Sequence, residues 1–276
     1  MSDFWSVNEG TFFCLYDPRR TRAFRRAIRA TVAPGDVVVE MGAGSGVLSM
    51  FAADAGASRV YAVELDQANL TSLRDTVVTN GYEDRIVVLE GDATTIELPE
   101  RVDVIICEMI ATGLLEELQL PAMANAMRWA KDGVKVVLQR YHVFADLVEH
   151  KNRYHGKVFN TIRYELPDKP SLRATVRSDP ALLVEVDFRR RYDSTLLERT
   201  VPLTVMSAGT VNGLRISGTT VFHDGSRFDS SVSYSFPVIL PIDDLEVDVG
   251  DRFRTDISYS MCDGPHRLRY SVTPMS

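Results

Sequence analysis

Residues 36–64, DVVVEMGAGSGVLSMFAADAGASRVYAVE, decide the fold. Val37, Val38 and Val39 are a continuous β-branched run, the pattern of a strand buried on both faces of a parallel sheet. The run leads into Gly42, Gly44 and Gly46, where missing side chains permit a tight turn and a close approach of backbone to ligand. Residues 47–55 then read as a helix whose amide-rich N-terminus would face the same ligand. A second strand over residues 60–63 ends at Glu64, eighteen residues beyond Gly46, near where this architecture sets an acid on ribose hydroxyls. Alternating glycines alone occur in ordinary turns. Strand, glycine turn, helix, strand and terminal acid in this order predict a nucleotide site in a Rossmann-like α/β domain.

The spacing narrows the nucleotide. Dinucleotide enzymes space their glycines as GxGxxG, whereas these alternate and follow Glu40 at the end of the first strand. An acid there disfavours a pyrophosphate. It suits a ligand carrying an amine and a sulfonium, S-adenosylmethionine.

With 276 residues, 45% of them hydrophobic, the chain can bury a large core and divides most simply into two domains or one large one. No apolar run approaches the length of a membrane span and no leader-like segment is visible, so a cytoplasmic protein without membrane insertion is expected. Cys14, Cys107 and Cys262 lie far apart and match no metal-ligand spacing, so they read as free thiols with no metal site. A net charge of −7 argues against broad binding to nucleic acid. Yet Arg19, Arg20, Arg22, Arg25, Arg26 and Arg29 crowd one short segment, and on a helix the last four form one stripe. That stripe is either a solvated face or a surface for an anionic peptide, RNA or cofactor carboxylate.

Phe4, Trp5, Phe12, Phe13 and Tyr16 follow no period and suit a lid over the ligand or a packed arm. Asp17-Pro18 starts a helix that should reach about Val32, before Pro34-Gly35. Beyond Glu64 the alternation continues with a helix over residues 69–79, a strand over 86–89 and a wholly apolar strand over 102–107. Asp92 and Ala93 follow the third strand, and Asp92 can accept a hydrogen bond from an adenine amino group. Ligands of open α/β sheets bind outside the carboxyl ends of the strands, so Glu40, Glu64, Asp92 and Glu108 should share one rim. A helix over 118–130 should break at Lys131-Asp132-Gly133 before a strand over 134–139. Around Val148 the texture changes to period-two runs at 182–188, 214–222, 231–236, 253–259 and 268–272. Turn signals separate them at His223-Asp224-Gly225, Val249-Gly250-Asp251 and Asp263-Gly264-Pro265, the pattern of an antiparallel sandwich or barrel. Two domains are therefore expected, 1–146 and 147–276.

Glu108 and Glu117 stand nine residues apart around MIATGLLE. If that loop folds back, both carboxylates reach one pocket, where their repulsion calls for a cation between them. A guanidinium matches paired carboxylates with bidentate, charge-assisted bonds. Alternatively, Glu116 and Glu117 simply begin a helix and favour its dipole. The guanidinium reading requires the two carboxylates to face an incoming cation, not a fixed cation of the protein.

VEMGAGSGVLSMFAADAGASRVYAVE followed by ERVDVIICEMIATGLLEE resembles the cofactor motifs and double-Glu loop of protein arginine methyltransferases, and the likeness covers nearly the whole chain. It implies a class I methyltransferase Rossmann-like domain followed by a C-terminal antiparallel β-barrel. It implies S-adenosylmethionine as cofactor, with contacts at Glu40, Gly42, Gly44, Gly46, Glu64, Asp92 and Ala93, and Glu108 and Glu117 as catalytic residues. DPRRTRAF resembles the segment whose arginine, here Arg20, holds the methionine carboxylate. The family's ring-like dimer, held by an arm, leaves a homodimer open, with residues 154–179 as the candidate arm.

The chain also departs from the family pattern. Its Trp-Met-Gly-Tyr is Met109-Ile110-Ala111-Thr112 here, so the aromatic wall of the methyl-transfer channel is missing. The family's Thr-His-Trp aligns with Ser233-Tyr234-Ser235, its acid near the adenine falls at Thr94, and its tyrosine-bearing N-terminal helix is abbreviated to the region of Phe4 and Trp5. The acceptor implied is a protein, peptide or small-molecule guanidine or amine.

Overall fold

The computed structural model describes residues 8–166 and 169–275. Five parallel strands, β1 (Val37–Met41), β2 (Arg59–Glu64), β3 (Ile86–Glu90), β4 (Val102–Cys107) and β5 (Ala130–Val136), form one sheet in the order β3-β2-β1-β4-β5. β1 is central and every residue on it is buried, Glu40 included. The valine run can therefore be continuous, because helices cover both faces. Helix α1 (Asn8–Tyr16) precedes α2 (Pro18–Thr31), and α3 (Val47–Asp54), α4 (Gln67–Thr79) and α5 (Gln119–Ala126) fill the connections.

α2 shows how a very basic segment becomes a core element. Ala23, Phe24, Ala27, Ile28 and Thr31 recur at helical spacing and are buried, which leaves Arg19, Arg22, Arg25, Arg26 and Arg29 on the exposed side. Asp17 caps its N-terminus by accepting from the backbone N–H groups of Arg19 and Arg20 at 2.9 and 3.1 Å. α5 is shorter than expected. It ends at Ala126, a 3-10 turn follows over Met127–Trp129, and Lys131-Asp132-Gly133 lies inside β5 as a bulge, with Gly133 at φ +77°. The glycine distorts the strand instead of preceding it.

The antiparallel half comprises β6 (Leu138–Glu149), β7 (Arg153–Tyr154), β8 (Lys157–Val158), β9 (Arg163–Tyr164), β10 (Thr175–Val176), β11 (Ala181–Asp187), β12 (Leu196–Thr204), β13 (Gly209–Phe222), β14 (Arg227–Phe228), β15 (Val238–Val247), β16 (Arg252–Ser260) and β17 (Arg269–Pro274). A seven-stranded sheet runs β10-β6-β13-β15-β9, with β11 against β6 and β14 against β13, and β12-β16-β17 make a second sheet.

Several expectations are corrected. The passage between the two halves falls at Val137, whose N–H still reaches the Ile105 carbonyl at 3.0 Å. β6 then runs straight through the boundary expected at 146/147. Residues 231–236 are not a strand. They turn back on themselves with a single bridge between Ser231 and Tyr234 and with Ser235 at φ +47°, because Tyr234 is drawn into an aromatic cluster with Phe24 and Phe228. β12 and β15 escape a period-two reading because each contains a proline, Pro202 on an edge strand and Pro241 beside a register shift. Within 154–179, β9 pairs with β15, β10 pairs with β6, and Glu165 joins Asp146 around the half-buried Arg215. Most of the candidate arm is thus fastened to the sheet. Pro167 and Asp168 lie outside the described residues, as do Phe4 and Trp5.

Gly218 marks the tightest contact in this half, since a Cβ there would fall inside the buried Tyr141 phenol. Gly218→Ala is expected to cost about 1–3 kcal/mol of stability by overpacking, read from the midpoint of urea unfolding. A variant with the wild-type midpoint would show that the Tyr141 ring is free to move.

Candidate active site

The carboxyl ends of β1 to β4 gather the acids on one rim. After β1 the backbone turns through Gly42, Gly44 and Gly46 at φ +74°, +52° and +76°, a conformation that favours glycine. The three glycines do different work. A Cβ on Gly46 would overlap Leu73 of α4, so that glycine allows the helix to pack against the turn, while Gly42 and Gly44 lie under Met109 and Thr11 at 3.3 and 3.1 Å from an added Cβ. α1 therefore crosses the glycine turn at Thr11, with Phe12, Phe13 and Tyr16 facing outward and exposed.

Glu40 is buried beneath the turn and accepts a hydrogen bond from the Ser49 hydroxyl. Burial pushes its carboxyl up to about 8 and Glu64 adds to this, against the opposing pull of Ser49 and Arg20. Glu64, expected on ribose hydroxyls, spends much of its capacity on backbone. It accepts from the N–H of Gly44 at 2.7 Å and from those of Leu65 and Asp66 at 2.9 Å, fixing the glycine turn to the end of β2. Asp92 Oδ1 accepts from the N–H and hydroxyl of Thr94 at 2.8 and 2.7 Å. The Ala93 carbonyl accepts from Asn125 at 3.1 Å, tying α5 to the rim.

Arg20, Glu108 and Glu117 converge at the next position along the rim. Arg20 forms a buried ion pair with Glu108 and donates from Nη1 to the Cys14 carbonyl at 3.2 Å. Burial opposes the charge on Arg20, but Glu108 outweighs it and the guanidinium holds its proton more tightly than usual. Its Nε is buried without a hydrogen-bond partner among the described residues. Glu117 is deep-seated with a partly accessible edge, and among the described residues it makes no side-chain hydrogen bond or ion pair. Burial, then the charges of Glu108 and Glu116, push its carboxyl up to about 8 against the pull of Arg20. The two carboxylates do share a site. Glu108, however, already carries a fixed cation of the protein, so an incoming cation meets Glu117 as the unmatched charge. Cys14 lies at the same place, its thiol pushed up to about 11 chiefly by burial and therefore unreactive.

The loop between the carboxylates is held by groups that sequence reasoning missed. It is a 3-10 turn over Thr112–Leu114 with Gly113 and Leu114 both left-handed, at φ +68° and +55°. Leu114 is fully buried, and the antiparallel half imposes this strained backbone. Thr112 donates to the Phe236 carbonyl at 2.5 Å, Tyr259 donates to the Gly113 carbonyl at 2.8 Å, and the N–H groups of Cys262 and Gly264 reach the Leu114 and Leu115 carbonyls at 2.6 and 2.8 Å. Gln119, wholly buried, accepts from the Met109 N–H at 2.8 Å and donates to the Cys107 carbonyl at 3.0 Å. Asp17 uses its second oxygen to accept from the N–H and hydroxyl of Ser233, which anchors the start of α2 and hence Arg20. Only the capping role of Asp17 leaves a local signal. The other partners are more than a hundred residues from the loop, or, for Gln119, look like a solvated helix start.

A family model described as ribosomal protein L11 methyltransferase matches residues 20–134. A "Probable protein arginine N-methyltransferase 6" of Arabidopsis thaliana is 37% identical over 141 residues, 50% of this chain and 32% of its own length. An uncharacterized protein of Methanocaldococcus jannaschii is 28% identical over 255 residues, 92% of each chain. The chain spans about a third of the length of the curated plant relatives it matches. Among solved structures, the Trypanosoma brucei PRMT1 enzyme-prozyme heterotetrameric complex with AdoHcy has a TM-score of 0.79 at 21% identity. Arabidopsis thaliana protein arginine methyltransferase 10 has 0.79 at 17%, each over 99% of both chains. Parallel sheet, glycine turn and antiparallel second half agree with these likenesses, and the chain shares the fold of these protein arginine methyltransferase structures.

Proposed function

We propose that the chain is an S-adenosylmethionine-dependent N-methyltransferase acting on a guanidinium-type nitrogen held at Glu117, the two-carboxylate clamp expected from the sequence being replaced because Glu108 is matched by Arg20. The observation that carries this reading is Glu117, a deep carboxylate with no partner among the described residues, set beside a rim suited to the methyl donor. The donor's chemical contribution is a methyl group on a positively charged sulfur. The residues fit such a cofactor. The Nε of Arg20 is a buried donor awaiting an acceptor, which suits the methionine carboxylate. Glu40, protonated at neutral pH by its burial, would ionise against the amino group, and the glycine turn leaves the backbone bare where the ligand would approach.

Glu117 has two tasks in this scheme. It holds the cation of the acceptor so that one nitrogen is aligned for transfer, and it accepts the proton which that nitrogen loses on gaining the methyl group. A free guanidinium barely deprotonates near neutrality, so proton loss accompanies or follows transfer. Burial favours the protonated form of Glu117 before the acceptor arrives; pairing with the acceptor's cation would ionise it, and the carboxylate so formed can take the proton. Glu108 acts through Arg20, keeping the guanidinium placed for the cofactor.

A second reading keeps the donor and changes the acceptor to a small metabolite or a peptide natural product. Ile110 and Thr112 are buried, so the loop presents no aromatic surface of its own to a protein substrate. Labelled S-adenosylmethionine offered with separate pools of proteins, peptides and free guanidines decides between them. Cytoplasmic location, a homodimer and the division into two domains, 1–146 and 147–276, belong to the same proposal; among the described residues no helix is long and apolar enough to cross a membrane.

Glu108→Gln is expected to weaken cofactor binding by calorimetry and to lower turnover at least about a hundredfold; unchanged binding and turnover would remove Glu108 from the scheme. A second expectation concerns pH. The native state holds the Glu117 proton more tightly than the unfolded chain, so this residue lowers stability progressively as pH rises from about 4.5 through about 8. Glu117→Gln should therefore gain in melting temperature over wild type at pH 8.5 and not at pH 4.5, and an equal difference at both would show that Glu117 is ionised throughout.

A further inference from the structure

We propose that Tyr164, outside the loop that bears the carboxylates, is the specificity-determining wall of the acceptor subsite: its ring, backed by Phe236, supports the flat or aliphatic body of a cationic acceptor whose charge is taken by Glu117. This rests on the reading above. Three separate segments meet at this place. β9 contributes Tyr164, the turn after Tyr234 contributes Phe236, and the loop contributes Glu116 and Glu117. Tyr164 Oη donates to Glu116 Oε2 at 3.1 Å, and its ring stands edge-on to Phe236 with centroids 6.2 Å apart and planes at 66°. Phe236 is itself pinned through its carbonyl by Thr112.

The charges distribute unequally across this junction. Glu108 is matched by Arg20, Glu116 is engaged by Tyr164, and Glu117 is left without a partner among the described residues. Burial, then Glu116, push the Tyr164 phenol up to about 12, with Glu117 adding to it, so it stays a neutral donor. Tyr164 is nevertheless 46% exposed, and the charge of Glu117 reaches its phenol. An aromatic face next to an unpaired carboxylate attracts a cation by two additive terms, quadrupole and charge. It favours an alkylguanidinium or alkylammonium, whose stem can lie on the ring, over a compact cation.

The test measures methyl transfer from labelled S-adenosylmethionine to a short peptide with one arginine between glycines and to N-butylguanidinium, for wild type, Tyr164→Ala and Tyr164→Phe. Tyr164→Ala should raise the acceptor KM at least about tenfold with kcat and cofactor affinity near wild type, and Tyr164→Phe, which keeps the ring, should restore KM to within about threefold. An unchanged KM in Tyr164→Ala, or a Tyr164→Phe as impaired as the alanine variant, overturns the role of the ring while leaving the reaction intact. A wild-type protein that binds the cofactor yet methylates neither acceptor overturns the guanidinium reading itself, and this inference with it.

Discussion

The buried ion pair between Arg20 and Glu108 is the interaction on which the site is built. Neither charge tolerates burial alone, and removing one partner of such a pair leaves the other stranded. The pair joins α2 to the end of β4 across 88 residues of sequence. Everything that positions Arg20, from the Asp17 cap to the Ser233 hydroxyl behind it, therefore also positions the carboxylate rim. The pairing also makes the two loop carboxylates unequal. A symmetric clamp around an external cation is replaced by one internally satisfied carboxylate and one available, the latter pushed up to about 8 chiefly by burial and then by Glu108 and Glu116.

Two halves of different texture cooperate in this. The parallel sheet supplies the rim because its strands all end on one side, and the antiparallel half supplies the grip on the loop. Tyr259, Cys262 and Gly264 reach across to satisfy carbonyls of Gly113, Leu114 and Leu115. Buried backbone acceptors need such partners, and they hold Leu114 in a left-handed conformation that its side chain disfavours. Strain at Gly113 and Leu114 is thus sustained largely by contacts from the other half.

What could be read from residues alone follows the range of the interactions. Val37–Val39, the alternating glycines and the apolar face of α2 are local patterns, and each predicts its element and its place. Glu40 at a strand end could be placed by the same logic, because the architecture puts every strand end on the ligand side. The Arg20–Glu108 pair could not, since two residues that each had a separate task left no sign of being neighbours. The turn at 231–236 was misread because alternation in Ser-Tyr-Ser is the same for a strand as for a buried tyrosine between two hydroxyls that serve other elements. The passage between the halves leaves no local mark, since β6 mixes Leu138 and Tyr141 with Gln139, Arg140 and His142 and shows no change of texture at its start.

The single residue Val137 between β5 and β6, still hydrogen-bonded to β4, makes the passage between the two sheets a continuous beam and not a hinge. A one-residue connection leaves little slack between the two sheets. On the side of the glycine turn the cover is α1, a nine-residue helix whose Thr11 lies over Gly44 while Phe12, Phe13 and Tyr16 stay exposed.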